Sequence, residues 1–107
     1  MKQIQFKANI TGVGSYLPEN ILTNDDIEKL VDTSAEWIHS RTGICERRIV
    51  RPGEASAEMS THAVNNLMDN YRLAASDIDA IIVATITPDM MFPATAALVQ
   101  KNINAEN

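Results

Sequence analysis

The sequence predicts an α/β fold, and three stretches carry that prediction. Ala80-Ile-Ile-Val-Ala-Thr-Ile86 is an uninterrupted, β-branched apolar run of strand length, the pattern of a strand covered on both faces in a parallel sheet. From Ser56 to about Arg72, apolar residues (Met59, Ala63, Leu67, Met68, Tyr71) recur at the spacing of an amphipathic helix. Phe6 to Val13 reads as a second strand, entered by Ile4 and Phe6 and continued by Ala8, Ile10 and Val13 around β-favouring Thr11.

The remaining elements follow in chain order. Gly12-Val-Gly14 closes the first strand through a turn that ends at Leu17-Pro-Glu-Asn20. A dinucleotide-binding loop would need a third glycine at position 17, where the chain has Leu17 followed by Pro18. Thr23-Asn-Asp-Asp26 starts a short helix, with acidic residues where the dipole favours them and Ile27, Leu30 and Val31 on one face. Thr33, with Glu36 three residues later, has the pattern of a capping box, so a second helix is expected to begin there and to end at Gly43. Ile44 to Val50 alternates apolar and charged residues and reads as an edge strand or extended arm; Arg51-Pro-Gly-Glu54 is a loop. The Ser56 helix is expected to take its cap from Ser56. Ser76-Asp-Ile-Asp79 is a tight connection, and Thr87-Pro-Asp89 stops the central strand. A last helix, from about Thr95 to Ile103, is entered through Pro93 and offers Asn104 for a left-handed cap.

A strand like Ala80 to Ile86 belongs inside a sheet, yet only one other credible strand and one edge-like arm accompany it. Two or three strands rarely make a doubly covered sheet. The chain therefore reads as the front part of a larger α/β protein, or as a chain whose sheet another chain completes, and Asn102 to Asn107 reads as a cut end. At 107 residues it is one domain's worth, without internal repeat or low-complexity segment.

Composition narrows the function classes. A net charge of −5 disfavours binding to nucleic acid or anionic membranes, whose phosphates call for a basic surface. The single cysteine, Cys45, excludes an intrachain disulfide, and the N-terminus lacks the apolar core of a signal peptide. A soluble, cytoplasmic protein is the expectation. Any nucleotide must then be held by a local basic patch, for which Arg41, Arg47, Arg48 and Arg51 offer four of the nine basic residues within eleven positions.

Trp37 is the only tryptophan, and Arg41 stands four residues beyond it, on the same face of a helix. Two readings fit the pair. The ring can stack on a base while the guanidinium meets phosphate oxygens; alternatively Trp37 anchors a core and Arg41 makes a surface ion pair.

Taken with their neighbours, these residues carry a resemblance. Gly12-Val-Gly-Ser-Tyr-Leu-Pro18, Thr23-Asn24, Val31-Asp-Thr-Ser34, Glu36-Trp-Ile38, Arg41-Thr-Gly-Ile44, Arg47, Val83-Ala-Thr85 and Phe92-Pro93, in this order and spacing, resemble the β-ketoacyl-acyl carrier protein synthase III family across the whole chain. The resemblance implies a thiolase-like fold, two similar α/β halves stacked in five αβαβα layers, working as a homodimer. Residues 1–107 would be the N-terminal part of the first half, with no internal domain boundary and an incomplete sheet. It implies a decarboxylative condensation: a starter acyl group, acetyl in the simplest case, moves from coenzyme A to a cysteine, and malonyl-acyl carrier protein supplies two carbons. No permanently bound cofactor is implied; the coenzyme A thioester is a substrate.

By the same resemblance Trp37 stacks on the adenine of coenzyme A, Arg41 closes on the nucleotide and its phosphates, Thr33 lies near the adenine edge and Thr42 by the phosphates. Phe92 reaches across the dimer interface to shape the partner's starter pocket. The Cys-His-Asn triad of the family lies beyond these residues, so the 107-residue chain alone is expected to be inactive. Cys45 does not match the nucleophile, His39 and His62 read as helix-surface residues, and Arg47 and Arg48 as rim residues. Ile103-Asn104 replaces the family's usual Leu-Gly, with asparagine the best non-glycine residue for a left-handed cap. Two alternatives stand beside this reading: a related acyltransferase with another acceptor, and a noncatalytic module binding coenzyme A or a nucleotide.

Overall fold

The computed structural model of the chain describes residues 7–106. In chain order its elements are strand β1 (Asn20–Thr23), helix α1 (Asn24–Glu28), helix α2 (Ala35–Thr42), strand β2 (Glu46–Ile49), helix α3 (Ser56–Tyr71), a 3-10 turn (Ala75–Asp77) and helix α4 (Thr95–Asn102). They gather into two groups: β1, α1, α2 and β2 pack together, and α3 packs on α4.

The first group is built on polar caps. Strands β1 and β2 pair antiparallel, from Asn20 opposite Ile49 to Thr23 opposite Glu46. The edge strand expected over residues 44–50 is therefore present as β2, but its partner β1 falls where the sequence suggested only a turn and a helix start. Four residues are too few to show a period. Thr23 opens α1 where the sequence placed a helix start, and does so with a capping box: its Oγ1 accepts from the Asp26 amide at 3.2 Å, and the Asp26 carboxylate accepts from the Thr23 amide at 3.2 Å. The Thr23 hydroxyl also donates to that carboxylate, which is the main reason Asp26 stays below its ordinary pKa. The helix stops at Glu28, so Leu30 and Val31 do not share its face as expected, and both are exposed.

Helix α2 begins one residue later than predicted. Ser34, not Thr33, is the cap: its backbone is extended and its Oγ accepts from the Trp37 amide at 3.1 Å. The orphan amide of Ala35 donates to Glu28 Oε2 at 2.8 Å, which ties the start of α2 to the end of α1. Gly43 closes the helix with φ of 70°, as the sequence requires, and its amide donates to the His39 carbonyl at 2.7 Å.

The second group holds the apolar core. Ala57, Val99, Ile103 and Ala105 are buried together, with Val64, Ala75, Ile78, Ile81, Val83 and Leu98 packed around them. Helix α3 spans the predicted stretch, but its cap differs: Ala55 occupies the cap position with no side-chain bond. Ser56 Oγ instead donates to the Thr87 carbonyl at 2.7 Å, and the Asp89 carboxylate accepts from the Ala57 amide at 3.0 and 3.1 Å. The cap thus comes from a residue more than thirty positions away. Helix α4 ends with Asn104 left-handed at φ of 55°, as expected. The 12–14 segment lies against α3 so closely that a Cβ on Gly14 would stand 2.5 Å from the Ala63 carbonyl oxygen. Gly14 is therefore demanded by a helix contact, not by the end of a strand.

Neither predicted central strand is paired among the described residues. Phe6 lies outside them, residues 7–13 belong to no sheet, and Ala80 to Ile86 runs without a ladder, with Ile82 and Ile86 almost fully exposed. The radius of gyration, 18.6 Å, compares with roughly 13 Å for a compact domain of about 100 residues. The sheet that a run like Ala80 to Ile86 calls for is not completed within residues 7–106.

Candidate functional site

Trp37 stands on the outer face of α2 with 58% of its surface exposed, while Ile38 beside it is buried at 7%. Among the described residues Ile38 anchors α2, and the Trp37 ring faces outward. An open concavity of about 350 Å³ adjoins the ring, lined by Asp32, Thr33, Ser34 and Trp37. Thr33 and Trp37 thus border the same hollow. An exposed large aromatic at the mouth of a hollow suits stacking on a flat, apolar-faced ligand.

The four arginines do not form one patch. Arg47 is half-buried and donates to the Asn24 side chain at 2.6 Å. Arg48 reaches the Pro18 carbonyl at 3.3 Å and pairs with Glu46 at 3.4 Å. Arg51 is drawn to Tyr16, Glu19 and Glu54. Arg47 is a brace inside the fold, and Arg48, still exposed, is a tie between loop and strand. Arg41 makes no hydrogen bond or ion pair among the described residues and lies on the exposed surface of α2, one turn beyond Trp37.

Thr42 has local work. Its hydroxyl donates to the Ile38 carbonyl at 2.7 Å and accepts from the Ile44 amide at 3.0 Å, shaping the exit of α2. Phe92 is not brought to the Trp37 hollow; it sits on the segment that Asp89 ties to α3, 87% exposed beside the fully exposed Met91. Cys45 is exposed and follows the α2 exit, and its carbonyl accepts from the Asn24 amide at 3.2 Å. His39 and His62 are on helix surfaces as predicted; His62 lies 3.8 Å from Glu58, with its ring against Tyr16. No group of three potential metal ligands occurs among the described residues, and no helix there is long and apolar enough to cross a membrane.

A second polar cluster joins the 51–54 loop to the Tyr16 turn. Tyr16 donates its hydroxyl to Glu54 Oε1, and Glu54 Oε2 accepts from the Arg51 amide at 3.0 Å. This hydrogen bond holds Glu54 below and Tyr16 above their ordinary pKa values. Glu54 is 8% exposed and fully engaged, so the cluster is a staple. Glu28, Ser34 and Asn24 mount the Trp37 helix, a role that no motif in the sequence marks for them. Only the residue type of Ser34 hints at a cap, whereas the bonds of Asn24 depend on residues about twenty positions away.

No protein-family model matches the chain. Individual relatives do. The chain is 56% identical over 100 residues to the β-ketoacyl-[acyl-carrier-protein] synthase III of Caldanaerobacter subterraneus subsp. tengcongensis, a match covering 94% of this chain and 30% of that protein. The enzyme of the same name from Chlorobaculum tepidum is 52% identical over 102 residues, covering 94% and 31%. Among solved structures, 3-oxoacyl-[acyl-carrier-protein] synthase III from Aquifex aeolicus superposes with a TM-score of 0.85 at 49% identity, over 90% of this chain and 31% of that one. The priming β-ketosynthase of the R1128 polyketide pathway gives 0.84 at 31% identity, over 90% and 29%. The fold is therefore α/β, part of a thiolase-like architecture with its sheet incomplete in this chain. The chain spans a little under a third of the length of the curated relatives it matches, and over that span it belongs to the β-ketoacyl-acyl carrier protein synthase III family.

Proposed function

We propose that the chain forms one wall of the coenzyme A site in a β-ketoacyl-acyl carrier protein synthase III. The complete enzyme starts type II fatty-acid synthesis by condensing a starter acyl-CoA, acetyl-CoA in the simplest case, with malonyl-acyl carrier protein. The observation that carries this reading is the outward face of α2. Trp37 is exposed beside a hollow, and Arg41 is the one of the four clustered arginines without a partner among the described residues. Trp37 takes the adenine by stacking, Thr33 borders the ring's edge, and Arg41 meets the phosphates with a planar fork of donors. Thr42 contributes through its backbone and through the shape of the α2 exit, its hydroxyl being bonded within the helix.

The chemistry belongs to groups outside the wall. A sulfur nucleophile must take the acyl group, and fixed hydrogen-bond donors must stabilise the charge that develops when carbon dioxide leaves. Cys45 has no base beside it in the described bonds, and the chain by itself is inactive on this reading. Residues 1–107 are the N-terminal part of the first of two similar halves, the enzyme is a cytoplasmic homodimer, and Phe92 enters the partner's starter pocket. The exposure of Phe92, Met90 and Met91 supports a buried destination for that segment in the assembled protein.

The test is Trp37→Ala in the full-length enzyme, assembled where needed by placing this chain in the frame of the Caldanaerobacter relative. KM for acyl-CoA should rise by the equivalent of about 1 to 3 kcal/mol of lost stacking, and Arg41→Ala should add a loss of about 1.5 to 3 kcal/mol. Unchanged affinity in both variants rejects the site. The similarity to a polyketide priming ketosynthase favours one other reading, a related acyltransferase with a different acceptor. Product analysis with malonyl-acyl carrier protein separates the two: release of the acetoacetyl carrier protein supports the first. Release of free coenzyme A without the acetoacetyl carrier protein identifies transfer of the acyl group to a different acceptor, and release of neither identifies a noncatalytic binding module.

A further inference from the structure

We infer that Asn24 and Arg47 are positioning residues for acyl-CoA binding: together they lock the exit of α2, and through it the setting of Trp37 and Arg41. The inference rests on the reading of α2 given above. Asn24 is 6% exposed, a buried primary amide at the first position of α1. Its Nδ2 donates to the Ile44 carbonyl at 2.8 Å, its Oδ1 accepts from Arg47 Nη1 at 2.6 Å, and its backbone amide donates to the Cys45 carbonyl at 3.2 Å. The orientation of the amide is fixed by its neighbours, because a carbonyl can only accept and a guanidinium can only donate.

The chain order makes these bonds matter. Helix α2 ends at Thr42, Gly43 turns the backbone, and Ile44 and Cys45 are the two residues before β2. One side chain and one amide of Asn24 therefore grip the whole link between the helix that carries Trp37 and Arg41 and the strand that is paired to β1. At the other end of α2, Glu28 holds the Ala35 amide. Between these ends the helix has one buried residue, Ile38. An eight-residue helix with so little apolar anchorage depends on its ends for its place. Arg47 completes the grip, since without it Asn24 Oδ1 would face a buried region with no donor.

The experiment compares two acyl donors in the full-length enzyme: acetyl-CoA, which reaches α2, and acetyl-N-acetylcysteamine, a thioester with no nucleotide. Asn24→Ala and Arg47→Met should each raise KM for acetyl-CoA roughly tenfold, the reciprocal of the fraction of molecules in which α2 keeps its place. They should leave kcat/KM for acetyl-N-acetylcysteamine within about twofold of the parent, the spread of independent sites. Arg47→Lys, which keeps a donor, should recover most of the loss. Asn24→Asp should not, because a carboxylate oxygen cannot donate to the Ile44 carbonyl. Equal losses with both donors would assign the pair to general folding and overturn the inference. So would parent-like KM in Asn24→Ala while Trp37→Ala still raises it; if Trp37→Ala also has no effect, the reading of α2 itself has failed.

Discussion

The two groups of elements solve the problem of holding a helix in opposite ways. Around α3 and α4, apolar side chains close over one another, and Val99 is 1% exposed. Around α2 almost nothing apolar is buried except Ile38, and the helix is fastened by Ser34, Glu28, Asn24 and the Thr42 hydroxyl. The difference follows from what each helix is for. A helix that must show a tryptophan to solvent cannot spend that residue on a core, so directional bonds at its ends replace the missing burial. Such bonds hold an angle and a depth, which is what the proposed stacking of a ligand on Trp37 would need.

The largest expected effect comes from breaking the apolar group. Ile103→Ala removes a buried side chain beside Val99 and should cost about 2 to 5 kcal/mol, read as a lower urea midpoint, with acyl-CoA KM in the still-folded enzyme unchanged. A raised KM at unchanged stability would erase the distinction between the groups. Gly14→Ala should follow at about 1 to 3 kcal/mol, because the added Cβ meets α3 backbone and cannot be relieved by rotating a side chain. Ser34→Ala, in the other group, should cost about 1 kcal/mol of stability and should raise acyl-CoA KM, since the lost bond is to Trp37 itself. An unaltered KM there would show that α2 holds its setting without its cap.

The smallest effect sharpens the role of the polar staples. Asp26 and Glu54 have lowered pKa values in the fold, so the stability they lend is complete above the ordinary carboxylate range and is lost as pH falls through the lowered values. Tyr16 is raised, so its share is complete below the ordinary tyrosine value and is lost as pH climbs through the raised one. Urea midpoints measured against pH should show a neutral plateau with both flanks. Tyr16→Phe should flatten the alkaline flank and shrink the acid flank, by removing the main cause of the lowered Glu54 pKa. An acid flank unchanged in that variant would place the dependence elsewhere.

Much of the candidate site was legible because its signals are local. Gly43 had to end α2, Thr23 with Asp26 had to cap α1, and a lone tryptophan four residues from an arginine marked the face to examine. The errors fall where a distant partner takes over a local role. Ser56 looked like a cap until Asp89 supplied one, and Thr33 looked like a cap until Ser34 and Glu28 divided the task. Arg47 reads as a rim residue in the sequence, and its bond to Asn24 spans more than twenty positions. Strand β1 was invisible because Ile21 and Leu22 become a strand only when Arg48 and Arg47 stand opposite them.

By itself the sequence determined the class of fold, the helices whose apolar residues recur with a period, the left-handed caps at Gly43 and Asn104, and the family resemblance. These are properties of neighbouring residues, set by backbone sterics and by the spacing of side chains along one element. Only the tertiary structure decided which of the four clustered arginines keeps no partner among the described residues, why Gly14 must lack a side chain, and how α2 is mounted. Those are matters of which groups meet across tens of residues, and a polar side chain has no assigned role until its partner is in place.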